Sequence, residues 1–233
     1  MNDTTQDASV STIPSLSRQR LADQIADVLR KQMLLGDLRP GQNIPERETA
    51  TALGVSRTPL REALLILEGE GMVNMAPARS PVVADPSLEE LTHLLLIQST
   101  LEALAGETAC DAMTDTEFEG IYALHQEMLD TSEAAKSIDF FATDMKFHTE
   151  IVAATKNPSL IKTHRQYNSR LWRTRFVASR RKLNRASSLS DHTNIVEGLR
   201  ARDKEQTSAA MREHLRSAIA KINIIFADRN KTE

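Results

Sequence analysis

Apolar positions along this chain recur mostly at helical spacing, with one short interruption. From Ser17 to about Leu35, Leu21, Ile25, Val28, Leu29 and Met33 predict an amphipathic helix, with Gly36 as its stop. DLRPGQNI, punctuated by Pro40-Gly41, reads as a turn. Two short helices are expected next, over 46–53 and 57–69, joined by Gly54-Val55-Ser56. Ser56 is placed to cap the second, and Pro59 falls in its first turn, where a missing N–H costs little. After Glu70-Gly71, MVNMAPARSPVVAD predicts two short strands around a Pro/Ala/Arg/Ser tip, closed by Asp85-Pro86. Beyond that, helices are expected over 87–113, 115–133, 137–155, 158–182, 189–201 and 203–228. The pattern predicts a mainly α protein. A flexible arm (1–16) leads into a winged helix-turn-helix (17–85), and an all-α helical bundle follows (86–230).

Composition changes this picture little. With 233 residues the chain can bury a substantial core, and 40% hydrophobic with 26% charged content fits a globular protein. No apolar run approaches the ~20 residues that span a bilayer, so no membrane role is expected. The polar start MNDTTQDASVSTIPS lacks a secretion pattern, and the single cysteine, Cys110, suits a reducing compartment, so a cytoplasmic location is expected. Charge argues mildly against nucleic acid. The net charge is −3, and residues 1–86 carry nine Lys/Arg against eleven Asp/Glu.

Placement of the arginines outweighs that total. In ERETATALGVSRTPLREALLILEGEGMV, Leu60, Ala63, Leu64 and Leu67 form the inward stripe of the second short helix. Arg57, Thr58 and Arg61 occupy its other face near the N-terminus. A recognition helix enters the major groove with just those positions, and an arginine fork can hold guanine O6 and N7 together. Arg47 at the start of the preceding helix can grip a phosphate, and Arg79 at the wing tip can reach a minor groove or backbone. Singly, each is an ordinary surface arginine; as a set after a glycine turn and before a wing, they point to double-stranded operator DNA.

A second constellation lies in the helical half. Asp144 and His148 are spaced i, i+4 on a face shared with Phe140, Phe141, Phe147, Ile151 and Val152. His192 sits on the stripe Ile195, Val196, Leu199, and His214 among Ala210, Met211, Ala218 and Ile222. A buried, unpaired Asp is expensive. One divalent ion would satisfy all four groups, and imidazole with a carboxylate suits zinc, nickel, cobalt or manganese. Most buried histidines are core residues rather than ligands, and His93, His125 and His164, without a carboxylate at ligand spacing, read as ordinary.

LRPGQNIPERETATALGVSRTPLREALLILEGEGMV resembles the N-terminal domain of GntR-type regulators. The length and helical second half resemble the FadR subgroup with an FCD domain. The resemblance implies a homodimeric repressor on a palindrome-like operator, with a small-molecule effector in the C-terminal domain changing the spacing of the two readers. It implies DNA contacts by Arg47, Arg57 and Arg61, with Ser56 and Thr58 on phosphates. It also implies Asp144, His148, His192 and His214 as metal ligands. Two departures stand out. The wing tip has Ser80 after Arg79 where relatives carry glycine, and Gln98 holds the place before Leu101-Glu102 where many present an arginine. Gln98 cannot neutralise an organic acid, so a substitute is expected from the basic run between Arg165 and Arg185, with Arg170 and Arg173 the first candidates to look inward.

Two other functions fit parts of this pattern. A metal-dependent hydrolase would use the Asp/His cluster with Glu150 as base. Four protein ligands crowd the open position such a site needs, however, and an enzyme gives the Arg57–Arg61 helix no role. Alternatively the metal is structural, and the helical half only dimerises.

Overall fold

The computed structural model describes residues 21–180 and 182–229. The expected arm over 1–16, and the expected first turn at Ser17–Arg20, lie outside them. The N-terminal unit comprises α1 (Leu21–Leu35), α2 (Glu46–Leu53), α3 (Arg57–Gly69), β1 (Val73–Asn74) and β2 (Val82–Val83). The helical bundle comprises α4 (Leu88–Ala112), α5 (Asp115–Thr131), α6 (Ser137–Ala154), α7 (Pro158–Ser179), α8 (Lys182–Ala201) and α9 (Lys204–Arg229). Among the described residues no helix is long and apolar enough to cross a membrane.

The N-terminal core gathers Ile25, Ala26, Leu29 and Met33 of α1 around Leu60, Ala63, Leu64 and Leu67 of α3. Leu21 and Val28, expected on the same stripe, are exposed instead. The buried face of α1 follows i, i+4, i+8 from Ile25, and residues 21 and 28 flank it. Gly54 adopts the left-handed conformation (φ 66°) that lets its N–H reach back to Ala50 and Thr51, setting the tight turn between α2 and α3. The wing is a short antiparallel pair, with Val73 opposite Val83 and Asn74 opposite Val82.

In the bundle, capping is written locally. Ser87 with Glu90 and Thr114 with Glu117 form capping boxes that start α4 and α5. The Asn157 side chain accepts from the Ser159 and Leu160 N–H groups ahead of Pro158 at the start of α7. Helix α4 runs through the bundle against α9, α6 and α7, and α8 packs on α5 and α9. Two boundaries differ from expectation: α7 ends at Ser179 rather than 182, and α8 begins at Lys182 rather than 189. The cause is tertiary. Buried Arg185 donates to the carbonyls of Ser179, Ser132 and Ala135 and to the Ser137 hydroxyl, and lies over the Phe140 ring. It thereby holds the end of α7 and the first turns of α8 against the α5–α6 connection, in a stretch that carries neither glycine nor proline.

The two units meet through α7 and α1. Arg30 grips the Glu70 carboxylate with two nitrogens, at 2.8 and 3.1 Å, and lies 5.6 Å from the Trp172 ring centre. Ser169 donates to the Glu70 carbonyl and Arg173 to that of Met33. Leu34 joins an apolar cluster with Phe141, Met145 and Phe176.

Where α8 crosses the start of α9, Gly198 leaves no space: a Cβ there would meet Thr207 Oγ1 at 2.5 Å and its backbone nitrogen at 3.0 Å. Because backbone must move to accommodate it, Gly198→Ala is expected to destabilise the protein by about 1–3 kcal/mol. Thermal or urea unfolding reads this, and unchanged stability would contradict the packing described.

Candidate functional site

The DNA-facing surface is built by contrast between the faces of α3. Leu60, Ala63, Leu64 and Leu67 are wholly buried, and Arg57, Thr58 and Arg61 are exposed. Ser56 takes the extended backbone of a cap residue, yet its hydroxyl makes no cap bond; Pro45, ahead of α2, makes none either. The first N–H groups of both helices thus lack a side-chain acceptor, the state in which they bind anions well. Arg47 and Arg79 are exposed, Arg79 next to Ala78 (φ 57°) at the wing tip. No ion pair holds Arg47, Arg57, Arg61 or Arg79 among the described residues.

The second site lies within the bundle, where α6, α8 and α9 bring His148, His192 and His214 together. A ring nitrogen of each lies within 4.8 Å of the others, and the ring centres are 4.6–5.2 Å apart. His148 and His192 are fully buried and His214 is 5% exposed. Asp144 joins them from the same face of α6, its Oδ1 3.4 Å from His192 Nε2. Nε2 of His148 and both nitrogens of His192 find no hydrogen-bond partner. A buried unmet donor or acceptor costs about 1–3 kcal/mol, so this much unmet polarity in one spot calls for a common partner.

Two carboxylates stand behind the rings. Glu102 Oε2 lies 2.9 Å from His148 Nδ1, and Asp191 Oδ2 lies 3.5 Å from His214 Nδ1. Each carboxylate thus sits on the Nδ1 side of its ring, at ion-pair distance rather than in an aligned hydrogen bond. Glu102 is itself wholly buried, and its Oε1 receives Gln98 Nε2 at 2.9 Å, with His164 Nε2 and Arg175 Nη1 at 3.3 Å. Burial pushes its pKa up, but His148 first, then His164 and Arg175, outweigh this and hold it well below the usual carboxylate range. Burial, aided by the crowding of further groups that carry positive charge when protonated, pushes His192 well below its ordinary value. Burial also lowers His214, against the pull of Asp191. Both rings are therefore neutral near pH 7, the form that ligates a metal.

Three expectations change on this geometry. Arg170 and Arg173 do not look inward: they line the cleft between the two units, on the face of α7 that meets α1 and the α3–β1 turn. The inward cation is Arg175, on the buried stripe His164, Leu171, Arg175, Ala178. That spacing was present in the sequence, and the charge of the whole run concealed it. Gln98 is buried as expected, but its amide is committed to Glu102. His164, expected to be an ordinary core residue, belongs to the Glu102 network. His125 contacts Thr193 and His93 is exposed, in keeping with ordinary roles. Glu150, the candidate base of a hydrolase, is exposed on α6. A cavity of about 40 Å³ adjoins Asp144 and His214 and is bordered by Arg175, Arg185 and Lys221.

Comparison with known proteins covers both units. Residues 21–83 match the gntR family of bacterial regulatory proteins, and residues 93–217 match the FCD domain. The Nta operon transcriptional regulator of Aminobacter aminovorans is 30% identical over 179 residues, 76% of this chain and 82% of that protein. A probable D-xylose utilization operon transcriptional repressor of Paenarthrobacter nicotinovorans is 28% identical over 212 residues, 88% of this chain and 90% of that one. Among solved structures, E. coli McbR/YncC superposes with a TM-score of 0.78 at 22% identity, over 90% of this chain and 100% of that chain, a likeness of fold. A helix-turn-helix with unpaired arginines on its outer face, joined to a matching helical domain, leaves one conclusion: the chain belongs to the gntR family of bacterial regulatory proteins, a DNA-binding transcriptional regulator with an FCD domain and not an enzyme.

Proposed function

We propose that the protein is a ligand-responsive repressor that binds operator DNA as a homodimer and senses a small organic acid beside a divalent metal. The sensing half is carried by one observation, the convergence of three buried histidines, with Nε2 of His148 and both nitrogens of His192 lacking a hydrogen-bond partner. Asp144, His148, His192 and His214 would hold the ion, with zinc, nickel, cobalt and manganese suited to imidazole and carboxylate. Such an ion supplies coordination positions for an effector carboxylate or for water. Arg175, Arg185 and Lys221 around the adjoining cavity give an anion its electrostatic complement and fill the role that Gln98 cannot. The cavity is too small for a metabolite as it stands, so effector binding requires the walls to part. One of those walls is Arg175 on α7, the helix that docks on α1, so a shift there reaches the DNA-reading unit. Only unequal affinity of the effector for the two arrangements can drive the change.

On DNA, Arg57, Thr58 and Arg61 enter the major groove, Arg47 and Ser56 hold phosphates, and Arg79 reaches from the wing. Dimerisation is supported by α4, which leaves Ile97 and Leu104 exposed seven residues apart, with Leu96 beside them. The repressor reading draws on the D-xylose repressor relative.

Gel shifts with the DNA flanking the protein's own gene test the reader. Each base-contacting arginine is worth about 1–3 kcal/mol, so Arg57→Ala/Arg61→Ala is expected to lose specific binding by at least about tenfold. Specific binding by that variant would refute the assignment. For the sensor, metal analysis of gently purified protein is expected to find about one divalent ion per chain, and His192→Ala and His214→Ala are each expected to lose it. Unchanged metal content would sink the site. Light scattering checks the dimer, since Ile97→Asp/Leu104→Asp is expected to yield monomer with the helical spectrum intact, and a persisting dimer places the interface elsewhere.

A further inference from the structure

We infer that the cleft between the N-terminal unit and the bundle is a second ligand site, for an amphipathic anion. Its volume is about 500 Å³, within the range of small-molecule sites and more than ten times that of the cavity beside the histidines. The walls are apolar from both sides: Met33, Met72 and Val83 from the N-terminal unit, and Leu91, Val177 and Phe226 from the bundle. Three arginines, Arg39, Arg170 and Arg173, line it together with one acid, Asp85, and Glu90 adds a second carboxylate within electrostatic reach of Arg170. Arg173 is engaged with the Met33 carbonyl. The guanidiniums of Arg39 and Arg170 make no ion pair among the described residues, and both side chains are exposed. An apolar body with a carboxylate, sulfonate or phosphate head matches this lining. Neither a polar sugar nor a cation does.

The place of the cleft gives such a ligand a consequence. It would touch both units at once, so its affinity depends on how they sit together, and by reciprocity its binding biases that arrangement. The inference does not rest on the metal site: none of its residues belongs to the histidine cluster or to the Glu102 network. It also gives Arg170 and Arg173, drawn from the basic run, a ligand-facing role in a different cavity from the one expected.

The probe is 8-anilinonaphthalene-1-sulfonate, an apolar body with one sulfonate, titrated by fluorescence into the full-length protein. Saturable binding is expected in the wild type, and after metal is stripped by chelation the affinity should stay within about twofold. Arg39→Ala/Arg170→Ala changes exposed residues only and is expected to weaken binding by at least about tenfold. Val177→Trp, which fills the cleft, should do the same by a separate route. Amide exchange locates the probe, with slowing expected over 33–41 and 170–177. Unchanged affinity in both variants, or protection centred on the histidine-bearing turns of α6, α8 and α9, overturns the inference.

Discussion

A carboxylate with no access to water sets the terms for the helical half of this regulator. Glu102 has 0% exposure and is surrounded by Gln98, His148, His164 and Arg175, contributed by α4, α6 and α7. A buried charge is tolerable only when its partners are in place, and removing one from such a set typically costs about 3–5 kcal/mol. The arrangement therefore fixes the three helices in register with one another. It also decides which nitrogen of His148 faces the cluster, because Nδ1 is turned to Glu102. The histidine cluster is a consequence of this anchoring as much as of the histidines themselves.

Helix α7 carries that constraint out of the bundle. Its inner face contributes His164 and Arg175 to the network, and its outer face contributes Ser169, Trp172 and Arg173 to the seam with the N-terminal unit. One rigid helix thus has one face on a buried charge and the other on the elements that present α3. A shift of α7 that draws Arg175 away from Glu102 would carry Trp172 and Arg173 with it, since no proline or glycine interrupts the helix between Ser159 and Ser179. The seam also bounds the wide cleft, so any occupant of that space acts on the same contact from the other side.

The DNA-reading unit shows how little total charge decides. It is slightly acidic, yet Glu70 is taken up by Arg30, while the arginines of α2, α3 and the wing stay unpaired at the surface. Local arrangement of cations, rather than their sum, makes such a surface attractive to phosphate and to guanine edges.

Much of this was legible in the chain itself. The bounds of α2 and α3 follow from Gly54 and Pro59, and the starts of α4, α5 and α7 from cap residues, because caps and turns act within a few residues. Asp144 and His148 share a face by simple periodicity, and the apolar neighbours of His192 and His214 announced their burial. What spacing along one helix cannot supply is the partner on another. That Glu102 stands behind His148, that Arg175 and not Arg170 or Arg173 turns inward, and that Arg185 ends one helix and starts the next all depend on atoms far apart in sequence. Sequence determined the elements and the chemistry each could offer. The tertiary structure alone decided which of those groups lost their water, and that loss gives a buried charge its choice of partner.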